Sequence, residues 1–217
     1  MKKFELTNEF ITNMFGTKLF RIRALVEFGD VEAGELGGYV EKESNLGHDD
    51  NAWVYDNAWV SGDALVYGNA RVYGNAGVYG NARVCSNARV YGNAWVYGNA
   101  RVCSDAWVYG NARVCSDALV CGDALVCGNA RVCSDEDYAY AHGFGSVNRT
   151  TTFFRLKDGG VGVRCGCFYG TLAQFRDKIR ETHGETKKAQ EYLMLADLME
   201  LRFEEDENEV GNRKYVE

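Results

Sequence analysis

The side chains that could do chemistry fall into two sets, three histidines and a larger group of tryptophan, tyrosine and arginine residues. The histidines are His48, His142 and His183. Imidazole is a common general base for acyl transfer, because its pKa lies close to neutral pH. Aromatic and arginine residues suit a planar anion instead, since a ring stacks on a base and a guanidinium grips phosphate. The two sets therefore predict different functions.

The aromatic and arginine residues recur at eighteen-residue intervals. One group holds Tyr55, Tyr73, Tyr91 and Tyr109 beside Trp53, Arg71, Arg89 and Trp107. A second holds Tyr79 and Tyr97 beside Trp59, Trp95, Arg113 and Arg131, and a third holds Leu65, Arg83, Arg101 and Leu119 beside Tyr67, Cys85, Cys103 and Cys121. The residues expected to contact a ligand are Arg71, Arg89, Tyr73, Tyr91, Trp107, Trp95, Arg113 and Arg131. The same surface also suits contact between subunits, because Tyr, Trp and Arg dominate interfaces.

The interval reflects a six-residue repeat from Asn51 to Ser134. The unit reads Asn/Asp-Ala-x-Val-x-Gly, with Ser or Asp replacing some glycines, and it occurs fourteen times. Ala and Val are two residues apart, so they point to one side of an extended chain, toward an interior. Gly and Asn tolerate the left-handed backbone of a sharp corner. Each unit is thus predicted to form one short strand and one corner.

Small interior side chains and a corner every six residues predict a narrow coil with three strands per turn. The fourteen units then make between four and five turns. At roughly 4.8 Å per layer, the stack is about 22 Å high. The sequence contains no proline, as expected where every interior N–H is needed for pairing.

The unit Val-x-x-Asn-Ala-x resembles the hexapeptide repeat of left-handed β-helix proteins, best known from trimeric acyltransferases. The resemblance covers residues 51–134 and implies an all-β solenoid, a left-handed parallel β-helix shaped as a triangular prism. The segment from Arg21 to Leu46 also looks like the lead-in of bacterial and phage proteins labelled acetyltransferases on fold alone. The resemblance implies a homo-oligomer, with a trimer favoured, in a bacterial host cell.

The remaining sequence predicts parts on either side of the repeat. Residues 1–50 are expected to hold an N-terminal strand from Lys18 to Phe28 and a capping region, preceded only by a short amphipathic segment. Residues 135–150 read as a connector. Residues 151–217 predict a small C-terminal α+β unit, made of a β-hairpin and two helices.

The two helices have recognisable ends. Thr171-Leu172-Ala173-Gln174 is a capping box that opens a helix ending near Gly184. A longer helix is predicted from about Thr186 to Phe203. Its expected apolar stripe is Ala189, Tyr192, Leu193, Ala196, Met199 and Leu201.

Composition narrows the function classes. The net charge of -7 argues against bulk nucleic-acid binding. The start, MKKFELTNEF, lacks the apolar run of a signal peptide, and no segment is apolar enough for a membrane span, so we expect a cytoplasmic protein without a membrane partner. Six of the eight cysteines follow a repeat Val, and we expect reduced thiols and no metal site.

Position separates the histidines. His48 falls in the Val position of a degenerate unit and is expected to point into the cap, while His183 sits near a helix C-terminus, where a cation is favoured. His142 remains as the candidate catalytic residue of a CoA-dependent acyltransferase, which would use CoA or acetyl-CoA as cofactor. The repeat lacks the loop insertion that commonly builds such a site.

We therefore expect no cofactor and favour a non-catalytic, oligomeric binding protein. Its partners would be its own copies and a small nucleotide ligand or a host protein. In a phage, such a protein would act in counter-defence, by sequestering a nucleotide signal or by blocking a host defence protein. The alternatives are the acyltransferase and a structural spacer, and a spacer predicts outer faces that are interchangeable.

Overall fold

The structure is a computed structural model that describes residues 2–145 and 148–204. The repeat occupies its centre, and an antiparallel strand pair and an α+β unit lie at its two ends. No helix in the described ranges combines the length and the apolar character needed to span a bilayer.

The N-terminal region forms three strands that extend one face of the repeat. β1 (Phe4–Thr12) pairs antiparallel with β2 (Lys18–Ala24), and β2 pairs antiparallel with β3 (Leu36–Val40). β3 then runs parallel to the repeat strands. The strand predicted from Lys18 is present but shorter than expected. β1 was not predicted, because a register shift between Leu6 and Phe10 interrupts its alternation.

Each repeat unit contributes one two-residue strand. These strands are β4 (Trp53–Val54), β5 (Trp59–Val60), β6 (Leu65–Val66), β7 (Arg71–Val72), β8 (Gly77–Val78), β9 (Arg83–Val84), β10 (Arg89–Val90), β11 (Trp95–Val96), β12 (Arg101–Val102), β13 (Trp107–Val108), β14 (Arg113–Val114), β15 (Leu119–Val120), β16 (Leu125–Val126) and β17 (Arg131–Val132). Each strand pairs in parallel with the third strand after it, so residues eighteen apart in the sequence lie side by side.

The strands form three sheets, which are the faces of a prism. Face 1 has the order β4-β7-β10-β13-β16, and face 3 has β6-β9-β12-β15. Face 2 continues the N-terminal strands in the order β1-β2-β3-β5-β8-β11-β14-β17. The predicted β-solenoid is confirmed, with about five turns.

Alanine and valine fill the interior as expected. The exposed fraction of every repeat Ala and Val is between 0 and 2%. Outside the core, Gly77 takes a position that holds Trp or Arg on the other repeat strands of face 2. A Cβ there would lie 2.6 Å from Cζ2 of Trp59, so glycine makes room for the indole.

Asparagine and aspartate side chains form ladders along the three corners. In the corner before face 2, each Asn amide donates to the Asn one turn further on, at 3.2 to 3.4 Å, through Asn57, Asn75, Asn93, Asn111 and Asn129. At most turns, the residue that precedes the corner Asn or Asp has a positive φ, and at three of these turns that residue is a serine. The turn chemistry read from the sequence is thus the chemistry observed.

The first turn of the prism is closed by the N-terminal segment. Leu46 is 1% exposed and bridges Val66, so it holds the interior position that was predicted for His48. His48 instead lies at the side, where its ring stacks on Phe4 at 4.5 Å and its Nδ1 accepts from the Lys3 N–H at 3.2 Å. The expectation for His48 is wrong because the first coil is irregular, and Leu46 reaches the interior first.

The C-terminal unit contains a four-stranded antiparallel sheet of β18 (Tyr138–Phe144), β19 (Arg149–Arg155), β20 (Val161–Cys165) and β21 (Phe168–Thr171). β19 and β20 are the predicted hairpin. The additional strand β18 lies in the segment expected to be a connector.

The two predicted helices are α1 (Leu172–His183) and α2 (Lys187–Phe203). The Thr171 capping box is present, with the Thr171 hydroxyl accepting from the Gln174 N–H. α2 packs on the sheet through part of its predicted stripe, whereas Leu201 is 68% exposed and does not belong to the buried side.

The cysteines follow the repeat register. Cys85, Cys103 and Cys121 are free thiols that follow consecutive strands of face 3. Cys115 and Cys133 follow neighbouring strands of face 2, with their Cα atoms 4.4 Å apart, and a disulfide joins them. This pair corrects the expectation of reduced thiols for these two residues.

Candidate functional site

A groove of about 390 Å³ lies on face 2 near the C-terminal end of the prism. We call it the cationic groove, and its lining residues are Asn93, Trp95, Asn111, Arg113, Asn129, Ala130, Arg131 and Lys157. It brings together three residues singled out in the sequence, Trp95, Arg113 and Arg131. Among the described residues that line it, none is acidic and three are cationic, Arg113, Arg131 and Lys157.

Local contacts hold two of these cations. The Arg113 guanidinium lies over the Trp95 ring, 5.1 Å from its centroid, in the geometry of a cation–π contact. Lys157 belongs to the turn between β19 and β20, and its N–H donates to the Asn129 carbonyl at 3.1 Å. The C-terminal sheet thereby adds an amine to a surface built by the repeat.

A second groove, of about 550 Å³, lies beside face 1. We call it the mixed groove, and its lining residues are Asn87, Arg89, Asp105, Trp107, Asp123, Leu125, His142, Arg149, Thr150 and Gly166. It contains three residues expected to be functional, Arg89, Trp107 and His142. Arg89 lies over the Trp107 ring at 4.9 Å. Two carboxylates here offset the two arginines.

His142 has two polar neighbours in the mixed groove. Its Nδ1 is 2.8 Å from Oγ1 of Thr150 and 3.6 Å from Oδ2 of Asp123. The side chain is 58% exposed. An imidazole held by a hydroxyl near a carboxylate could accept a proton, since such partners orient the ring.

The two grooves occupy equivalent places in the repeat, six residues apart. Their corner ladders differ. The corner of the cationic groove is asparagine throughout. In the mixed groove, Asn87 donates to Asp105 at 3.0 Å, and Asp123 follows one turn later. Two ionised carboxylates in succession repel each other and any anion nearby. The corner chemistry therefore favours anions in the cationic groove only.

A smaller hollow, of about 220 Å³, includes Arg71, Tyr73 and Arg89. Asp30 from the N-terminal region lies at its edge and forms an ion pair with Arg71 at 2.7 Å. Asp30 also accepts from the Tyr55 hydroxyl at 3.1 Å, and burial raises the pKa of Tyr55 to about 12. Arg71 is thus already neutralised within the chain.

The tyrosine columns stack on themselves. Tyr73, Tyr91 and Tyr109 lie ring over ring, with centroids 4.8 Å apart and planes within 2°. Tyr79 and Tyr97 stack in the same way at 5.0 Å. The Tyr91 ring is covered on one face by Tyr73 and on the other by Tyr109. It therefore presents mainly its edge to the exterior. Stacking of a base on Tyr73 or Tyr91 is therefore disfavoured, whatever else these residues contact.

Sequence reasoning missed Lys157 and Arg149 as groove residues. Both lie beyond the repeat and reach the prism only because the C-terminal sheet docks at its end, where Leu156 bridges Ala130. The register of the repeat carries no information about that docking. A signal was present in the Lys157-Asp158-Gly159-Gly160 turn, which places a lysine at a hairpin tip.

Comparison with known proteins bears on the repeat alone. Residues 64–80, 82–98 and 88–104 match the family model of the YdcK β-solenoid repeat. No curated protein matches the sequence. The matched segments lie inside the prism and exclude the C-terminal unit, so the similarity concerns the fold and leaves the grooves unassigned. Sequence pattern, strand pairing and family model together identify the chain as a β-solenoid repeat protein.

Proposed function

We propose that this protein is a non-catalytic binding protein that holds an anionic ligand of the nucleotide class in the cationic groove. The observation that carries the proposal is the lining of that groove, with Arg113, Arg131 and Lys157 beside an indole and with no acid among the described lining residues. Guanidinium and ammonium groups are the usual partners of phosphate. The volume of the groove falls within the range of small-molecule sites.

The chemistry of the lining residues supports binding without turnover. Trp95, Arg113 and Arg131 carry no group that accepts a proton near neutral pH. Lys157 is exposed on a hairpin turn, where its ammonium group can contact an anion. A protein that binds a nucleotide and leaves it intact would remove it from circulation. In a phage-infected bacterium this amounts to sequestration of a nucleotide signal.

Native mass spectrometry of protein purified from its own host tests the proposal. Release of small molecules by mild denaturation should yield a phosphate-bearing compound, and incubation with that compound should return it chemically unchanged. Recovery of a hydrolysed or transferred product would contradict the non-catalytic reading. The same spectra give the subunit number.

A second candidate function rests on His142 in the mixed groove. The contacts of His142 with Thr150 and Asp123 are those of a possible general base in a CoA-dependent acyltransferase. Arg89 and Arg149 could contact the phosphates of CoA, although Asp105 and Asp123 oppose anions in the same groove. Release of free CoA from acetyl-CoA, lost in His142→Ala, would favour this candidate. Thiol release that is equal in both proteins would exclude it.

A further inference from the structure

The three cations of the cationic groove follow one another along the prism axis. Arg113 and Arg131 are register partners on β14 and β17, so their backbones are separated by about 4.8 Å, one strand spacing. β17 is the last strand of this sheet. Lys157 lies just beyond β17, where its backbone N–H donates to the Asn129 carbonyl. The order along the groove is therefore Trp95, Arg113, Arg131 and Lys157.

A row of like charges at strand spacing favours a ligand whose negative charges are also arranged in a row. A single phosphate can contact one or two of these cations at a time, whereas a chain of phosphates can contact all three. We infer that the ligand carries a linear chain of two or three phosphates and lies along the prism axis. This inference rests on the proposed function and specifies the ligand of the same groove.

The two ends of the groove differ, which gives the ligand a direction. The indole of Trp95 marks one end, and the amine of Lys157 marks the other. An aromatic head group fits beside Trp95, and the last phosphate of the chain fits beside Lys157. The chemical class is thus a nucleoside di- or triphosphate.

Isothermal titration calorimetry with AMP, ADP and ATP tests the number of phosphates. Affinity should rise about 5- to 10-fold with each added phosphate, because each gains a charge-assisted contact. Equal affinity for the three nucleotides would overturn the linear chain while leaving the proposed function in place. Absence of binding by all three would overturn the proposed function as well.

The variant Lys157→Gln tests the direction. It should remove the gain from ADP to ATP and preserve the gain from AMP to ADP. Lys187→Gln is the control, since Lys187 lies on α2 and its side chain is 88% exposed. An equal loss for ADP and ATP in Lys157→Gln would overturn the direction. Inorganic triphosphate binding as tightly as ATP would overturn the role of the aromatic head group.

A separate observation concerns α2. Met194, Leu198 and Leu201 are 71, 55 and 68% exposed. Their spacing places them on one side of the helix, opposite the buried side that includes Ala196 and Tyr192. Three neighbouring apolar side chains on a helix that already packs by its other side form an apolar surface of a kind that marks contact sites.

The charges beside this stripe indicate what covers it. Glu191 lies near the start of α2 and Arg202 near its end, on the same side of the stripe by helical spacing. If two copies of α2 cross antiparallel about a two-fold axis, Glu191 of each copy meets Arg202 of the other. The geometry points to a second copy of this chain as the occupant, through an isologous α2–α2 contact.

Sedimentation velocity over about 1 to 200 μM tests this contact. The stripe is smaller than a standard interface of about 800 Å² per partner, so we expect a dimer with a micromolar dissociation constant. Leu198→Glu should abolish it, and Leu25→Glu, at an exposed apolar residue outside α2, should not. Glu191→Arg should weaken the dimer, and Arg202→Glu added to it should restore affinity. A wild-type monomer throughout, or a dimer insensitive to Leu198→Glu, would overturn the proposal.

Discussion

The cationic and mixed grooves are built on equivalent strands and corners of the repeat, and they differ in the side chains placed there and in the part of the C-terminal sheet that borders them. Moving six residues back along the repeat turns Trp95, Arg113 and Arg131 into Arg89, Trp107 and Leu125. The corner amides of Asn111 and Asn129 become the carboxylates of Asp105 and Asp123. A regular solenoid therefore supplies equivalent positions, and the residues placed in them decide which position can attract an anion.

The largest expected effect follows from removing the arginines of one groove. Arg113→Gln with Arg131→Gln should weaken nucleotide binding at least about 30-fold, because two charge-assisted contacts are lost. Arg89→Gln with Arg149→Gln removes the same number of arginines from the mixed groove and should alter affinity less than about twofold. Calorimetry on both variants measures the difference. Similar losses would mean that the two grooves do not differ as their charges predict.

Exchanging the corner residues tests the comparison more narrowly. Asn129→Asp introduces the carboxylate that Asp123 provides in the mixed groove, and we expect about a tenfold loss of nucleotide affinity at low salt. The loss should shrink at 0.5 M salt, since screening reduces the repulsion. Titrations at two salt concentrations measure it. A loss that ignores salt would point to altered shape instead of charge.

The corner acids also predict a difference in stability. Asp105 and Asp123 are consecutive in their ladder, and neither can donate a hydrogen bond when ionised. Asp105→Asn should raise the free energy of unfolding by about 0.5 to 1 kcal/mol, because the new amide can donate to Asp123 one turn further on and its oxygen can still accept from Asn87. Urea denaturation at pH 7 measures the change. The reverse change, Asn129→Asp, should give no gain.

The smallest expected effect on binding concerns the indoles. Trp95→Leu should weaken nucleotide binding only about fivefold, at the low end for a stacking residue, because Arg113 already covers part of the ring. Trp107→Leu in the mixed groove should leave binding unchanged. Fluorescence or calorimetric titration measures both. A much larger effect of Trp95→Leu would show that the ligand displaces Arg113 from the ring.

The sequence was sufficient for the regular part of the molecule. Fourteen strands, three faces and the eighteen-residue register follow from the spacing of Ala, Val and Asn, because each unit contacts only its neighbours one turn away. The helices were also predictable, since Thr171 and Gly184 carry local capping information. These predictions needed no knowledge of long-range packing.

The candidate site was predictable only in part, because some of its contacts are long-range. Register placed Trp95, Arg113 and Arg131 together, but Lys157 and Arg149 reach the grooves through the docking of the C-terminal sheet. Asp30 reaches Arg71 from the N-terminal region in the same manner. Contacts between a regular repeat and an irregular neighbour depend on packing that no period encodes, as the displacement of His48 by Leu46 also shows.

Because the prism is triangular in section, the number of repeat units sets both the axial position and the rotation of the C-terminal sheet. Adding or removing eighteen residues moves the C-terminal sheet along the axis and leaves it above the same faces. Adding or removing six residues rotates that sheet by a third of a turn, so that Lys157 would stand over another column of side chains. Changes in unit number can thus redirect a fixed C-terminal unit onto a new surface without altering a single residue of either part.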